Sequence, residues 1–165
     1  MACKDIDRLG THIAWSYLTV SNTSDKYQLY LDTIKLFEPH NLTVWQGYLT
    51  PEADGWLMSM PVGQELPVDT SETEIVSRAA AEGWLNRREF GTAAAVLQPG
   101  EKIQLVIEIS QEGDQLGFAR GFDIGYHTNN GDYAIAKDRG TILAIGTDQQ
   151  TCDSFDTDTL PPVKL

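Results

Sequence analysis

Cysteine and histidine are scarce: two and three respectively in 165 residues. Cys3 and Cys152 stand near opposite ends of the chain and could close one disulfide if the termini meet; with no secretory signal, two free thiols are the expectation. No two of the three histidines stand at ligand spacing on one element, so no metal site is expected. Basic residues number 12 against 24 acidic ones, a net charge of −12 and a pI near 4.5. That surface repels phosphate backbones, and the one dense basic spot, Arg87-Arg88, is too small to reverse it, so no nucleic-acid partner is expected. Anionic membranes are disfavoured for the same reason, whereas neutral headgroups are not. No apolar run approaches the ~20 residues a spanning helix needs. Met1 to Arg8 is charged where a secretory signal would be apolar. The expected location is cytoplasmic, or secreted without a recognisable signal.

Catalytic signatures are missing too. There is no Gly-x-Ser-x-Gly elbow, neither cysteine has a base beside it, and no glycine-rich loop opens a helix to cradle phosphate. Asp153, Asp156 and Asp158 lack the glycine and terminal glutamate of a calcium loop. No cofactor is expected. The sequons at Asn22 and Asn41 are read as chance matches.

What is present is β-pattern. His12–Val20 and Tyr27–Phe37 read as the first two strands, and the second changes parity at Asp32-Thr33, the mark of a bulge or a change of sheet. Leu42–Leu49 and Trp56–Met60 follow. Ser71 and Glu74 form a capping box, and Ile75, Val76, Ala79, Ala80 and Trp84 continue a helical stripe to about Asn86. Phe90–Leu97 is taken as a strand. Lys102–Ser110 alternates strictly, with Ile103, Leu105, Ile107 and Ile109 on one face, after a Pro99-Gly100 turn of type II form. Asn129 to Asp132 signals a hairpin with a type I′ turn, and Tyr133–Lys137 and Thr141–Ile145 complete the set.

Together these give an antiparallel β-sandwich of about eight or nine strands with one inserted helix. It forms a single domain over residues 1–147, the helix at about 71–86, followed by an acidic, proline-containing tail at 148–165. A chain this long buries about 70% of its extended surface, enough for its own core.

Gly117–His127 is the most unusual segment. Read as one strand, it sets Phe118, Phe122, Ile124 and Tyr126 on one face and Gly117, Ala119, Gly121, Asp123, Gly125 and His127 on the other. A face so nearly bare must be approached by a helix, a second sheet or a ligand.

Tyr17 to Ser24 leading into Tyr27–Phe37, and Leu97 to Lys102 leading into the alternating strand, resemble the edge-strand connections of immunoglobulin-like or fibronectin-like sandwich modules. The likeness covers roughly a third of the chain, lacks the Cys…Trp…Cys spacing of antibody domains, and implies a fold class without assigning any residue a role.

Three functions follow as expectations. The first is a non-catalytic binding or assembly module that recognises a protein partner, a glycan or another copy of itself. Its surface is the aromatic group Trp45, Tyr48 and Trp56 around the Pro51–Gly55 loop, with Trp45 and Tyr48 on opposite strand faces. The second is a small enzyme in which His127 is the base and Asp123 or Asp132 orients it. The third is a membrane-active protein that binds neutral lipid through exposed aromatics.

Overall fold

The computed structural model describes residues 2–5, 12–51, 59–61, 83–113 and 115–146. Their strands, in chain order, are β1 (Ala2–Asp5), β2 (His12–Ser21), β3 (Leu29–Leu36), β4 (Leu42–Thr50), β5 (Ser59–Pro61), β6 (Arg88–Glu89), β7 (Val96–Leu97), β8 (Lys102–Gln111), β9 (Gly117–Ala119), β10 (Phe122–Thr128), β11 (Tyr133–Asp138) and β12 (Leu143–Gly146). They form a β-sandwich. One layer has the antiparallel order β5-β2-β8-β4-β6, and the other β11-β10-β3-β7. A third set, β1-β12-β9, prolongs the second layer. Backbone bonds from Phe37 to Arg120 and Gly121, and between His40 and Phe118, carry the ladder past the end of β3. β1 joins β12 in parallel.

The alternation of β8 is what closes the two layers. Ile103, Leu105, Ile107 and Ile109 all face inward and cluster with Leu31, Ile34, Phe122, Ile124 and Trp15. Burying each such side chain stabilises the fold by about 1.5–3 kcal/mol. The parity switch in the second strand is a bulge: Gly125 pairs with Thr33 and Tyr126 with Leu31, so Asp32 is the extra residue.

Gly117–His127 departs from expectation by breaking in two. Gly121 has φ +135°, and side-chain parity reverses there. Phe122, Ile124 and Tyr126 face the core as read from the sequence. Phe118, although 8% exposed, lies outside the core cluster: its ring stacks on His40 with centroids 5.0 Å apart, while Ala119 joins the cluster. The protein itself fills the small-residue positions. A Cβ on Gly117 would meet the Leu42 side chain, on Gly121 the Asp138 carbonyl, and on Gly125 the hydroxyls of Tyr133 and Thr33.

Opposite Gly121, β11 ends in a turn built by Asp138. Its carboxylate accepts from Gly140 N–H at 2.7 Å, Thr141 N–H at 3.0 Å and Thr141 Oγ1 at 2.6 Å. Burial alone would raise the pKa of this carboxyl; the three bonds and the neighbouring Arg139 outweigh it and hold the group below its usual value.

Two further expectations change. The β10–β11 hairpin is not type I′, because only Gly131 has positive φ. Gly131 N–H bonds the Thr128 carbonyl and Thr128 N–H the Asp132 carbonyl, a type I turn closed by a glycine bulge. Phe90–Leu97 is mostly turn rather than strand, because Gly91 at φ +76° and bonds of Gly91 and Ala95 to Leu31 strap the segment across β3. Residues 83–85 are helical, at the end of the expected helix. Residues 71–82, Trp56, Cys152 and the tail lie outside the described residues, as do the side chains of β1, including Cys3.

Candidate functional site

Trp45 and Tyr48 do not lie on opposite faces. A bulge in β4 pairs Val44 with Ile109 and Gln46 with Glu108, leaving Trp45 as the extra residue. Val44, Gly47 and Leu49 then turn to the core, while Trp45, Gln46 and Tyr48 share the outer face of the β5-β2-β8-β4-β6 layer. Their partners confirm the side, since Ser110 and Glu108 are two residues apart on β8. Trp45 Nε1 donates to Ser110 Oγ at 2.8 Å, and Tyr48 Oη donates to Glu108 Oε2 at 2.7 Å. Neither ring fills the core. Trp45 is 64% exposed, a large value for an indole held in place by a hydrogen bond.

Trp84 and Arg87, which the sequence pattern did not place at this site, complete the surface. Trp84 meets Tyr48 edge to face at 5.3 Å and 71°. The Arg87 guanidinium sits 4.3 Å from the Trp84 ring centre and 5.2 Å from that of Tyr48, and donates to the Trp84 carbonyl at 3.1 Å. Gln46 Nε2 donates to Glu89 Oε1 at 2.7 Å on the same side. The signals were the apolar parity change from Val44 to Leu49 and the spacing of Trp84 and Arg87 by three at a helix end.

This environment acts on the Tyr48 phenol. Burial first, then the hydrogen bond to Glu108 and the negative charges of Glu108 and Glu89, push its pKa up to about 12 against an opposing Arg87. A raised folded pKa favours the protonated fold, so this stabilisation is fully present below about pH 10 and is lost as pH rises through about 12. Tyr48→Phe is expected to cost about 1 kcal/mol in urea unfolding at neutral pH. It should also remove a late component from the alkaline tyrosinate titration monitored by absorbance. An unchanged titration would contradict the assignment.

His127 is placed differently from either expected arrangement. Its Nδ1 lies 3.0 and 2.9 Å from the two carboxylate oxygens of Asp32, and its ring stacks on Tyr30 at 5.0 Å and 10°. Asp123 is engaged elsewhere, in a 2.6 Å ion pair with Arg139. Asp132 sits exposed at the hairpin, where its carbonyl accepts from Thr128. The orienting carboxylate comes from Asp32, 95 residues away, because the β3 bulge re-aims it. Sequence proximity favoured the wrong two aspartates.

The dyad faces open surface. The inter-layer slot near it, about 480 Å³, is lined by Val20, Leu31, Leu97, Ile124, Tyr126 and Ala136, with Asn22 and Ser24 at its rim. Ile124 and Tyr126 point into the slot, so His127, of opposite parity on β10, faces away from it. A ligand in the slot and the imidazole would lie on opposite sides of one sheet. No cluster of three or more His, Cys, Asp or Glu side chains suited to a metal ion occurs among the described residues.

Comparison with protein-family models, curated proteins and solved structures finds no match.

Proposed function

We propose that this chain is a non-catalytic binding module of immunoglobulin-like architecture. Its ligand face is the outer side of the β5-β2-β8-β4-β6 layer, and its ligand is a neutral saccharide. The architecture is supported by strand order. β2-β8-β4 in one layer against β3-β10-β11 in the other matches the B-E-D and C-F-G orders of that class, with an insertion between β4 and β8.

The observation that carries the ligand face is the β4 bulge, which gathers Trp45 and Tyr48 on one side with Trp84 and Arg87. A sugar ring needs an apolar platform with donors and acceptors around it. Trp45 supplies the platform, already held by Ser110, so little ordering entropy remains to be lost on binding. Gln46, Glu89, Glu108 and Arg87 supply the polar surround. The net charge of −12 disfavours sulfated or sialylated chains, hence a neutral ligand.

Tryptophan fluorescence titrated with a panel of neutral oligosaccharides tests this reading. At least one should bind, and Trp45→Ala should weaken it by about ten-fold or more. No binding across the panel, or full affinity in the variant, would overturn it. Trp45-dependent binding to phosphatidylcholine vesicles without saccharide binding would replace it with a lipid-headgroup reading.

A further inference from the structure

β11 is the longest strand that borders a sheet with one side unpaired among the described residues. The other bordering strands β1, β5, β6, β7 and β9 have two to four residues, against six in β11. Sheet borders are ordinarily blunted by brevity, proline, bulges or several charges. Tyr133–Asp138 has no proline, no internal bulge, and a single lysine, Lys137. Tyr133 is 60% exposed and Ile135 50%; the Tyr133 ring leans inward over Gly125 toward Thr33, which leaves Ile135 open at the border.

The hydrogen-bond phase of this border follows from the hairpin. Thr128 N–H donates to the Asp132 carbonyl. Alternation along an antiparallel ladder then turns the amides and carbonyls of Ala134 and Ala136 toward β10, and those of Tyr133, Ile135 and Lys137 outward. The outward groups are three, evenly spaced and centred on Ile135. Such a set is its own complement under a two-fold rotation.

We propose that two copies of this chain join through β11, antiparallel, with Ile135 on the two-fold axis and Tyr133 of each copy opposite Lys137 of the other. The two β11-β10-β3-β7 layers become one continuous sheet. Ile135 bonds its own counterpart through both backbone groups, and the exposed isoleucines pack against each other. Each Lys137 pairs with the opposite Tyr133 through their outward backbone groups, while the Tyr133 ring leans away over Gly125. The short Ala134 and Ala136 on the other side meet without obstruction. A one-residue slip would set inward-pointing amides against outward-pointing ones, so the register is specified. The joint lies on the opposite layer from Trp45, and this inference is independent of the saccharide reading.

Sedimentation equilibrium should report twice the 18.3 kDa chain mass at micromolar protein. Ile135→Pro deletes the amide at the axis, and Ile135→Lys opposes two ammonium groups there; both should sediment as folded monomers with wild-type circular dichroism and unaltered saccharide binding. In a Cys3→Ser, Cys152→Ser background, Ile135→Cys should oxidise to a covalent dimer, because paired Cα atoms lie about 5.5 Å apart. Lys137→Cys should not, since the two copies of residue 137 stand four pairs apart. A monomeric wild type, a dimer that survives both Ile135 variants, or equal cross-linking at 135 and 137 would overturn the proposal.

Discussion

Gly121→Ala is expected to destabilise the protein by about 3 kcal/mol or more, lowering the thermal midpoint by roughly 10 °C. Two causes add. The residue sits at φ +135°, a region that L side chains rarely adopt, and a Cβ would land on the Asp138 carbonyl oxygen and press on Asp138 C and Arg139 Cα. Neither neighbour can move cheaply, because backbone blocks the way and the Asp138 turn is held by three hydrogen bonds. The close approach of these two chains lets β9–β10 and β11–β12 change direction together, so the variant should lose the junction between the two parts of this layer. Calorimetry checks the midpoint. A shift of less than about 2 °C would mean that the break at Gly121 does not hold the two parts of this layer together.

The second large effect is expected at Asn22, 1% exposed, whose side chain joins the β2–β3 loop to the β7–β8 turn. Its Nδ2 lies 2.7, 3.2 and 3.0 Å from the carbonyl oxygens of Tyr27, Leu97 and Gln98, and its Oδ1 accepts from Ser24 N–H at 3.0 Å. Its backbone bonds Glu101 and Gly100 as well. Asn22→Ala should cost about 2–4 kcal/mol, since three acceptors and one donor lose their partner.

Asn22→Asp is nearly isosteric and is expected to be worse at neutral pH, because it buries a carboxylate against carbonyl oxygens. The sign of its pH dependence follows. Desolvation and the carbonyl dipoles raise the folded pKa above the unfolded value of about 3.9. The variant's stability therefore falls as pH rises from about 4 through the folded pKa, and its deficit against wild type narrows in acid. Urea unfolding at acid and neutral pH checks this; a deficit that widens in acid would contradict it. The same burial leaves no room for a glycan on this asparagine, in keeping with its sequon as a chance match.

The sandwich was legible because its central strands carry unambiguous periodicity. Lys102–Ser110 sets Ile103, Leu105, Ile107 and Ile109 on one face, and His12–Val20 is a strand as read. Its pairing with Lys102–Ser110 was not foreseen: residues 102–145 were expected to pair as neighbouring ribbons. The Asp32-Thr33 parity switch marked a true bulge. The site was less legible because bulges decide it. In Leu42–Thr50 the inward set passes from Leu42 and Val44 to Gly47 and Leu49, and a small glycine at one of those positions hides the shift. Trp45 and Tyr48 thus appeared to point apart. The His127 partner was missed for a related reason: Asp32 reaches it only through pairing between β3 and β10, a distance that local spacing cannot encode. Phe118 was misassigned because a strand read through Gly121 keeps its parity, whereas φ +135° there reverses it.

The proposed saccharide sits on the bulged β4 face. The most direct measurement is an ¹H–¹⁵N spectrum of the tryptophan indoles during titration with the best-binding neutral oligosaccharide. The indole signals of Trp45 and Trp84 should shift saturably, while that of Trp15, 2% exposed in the core, stays fixed. Saturable shifts confined to amides around His127 and Tyr133, with the Trp45 and Trp84 indoles unmoved, would overturn this assignment.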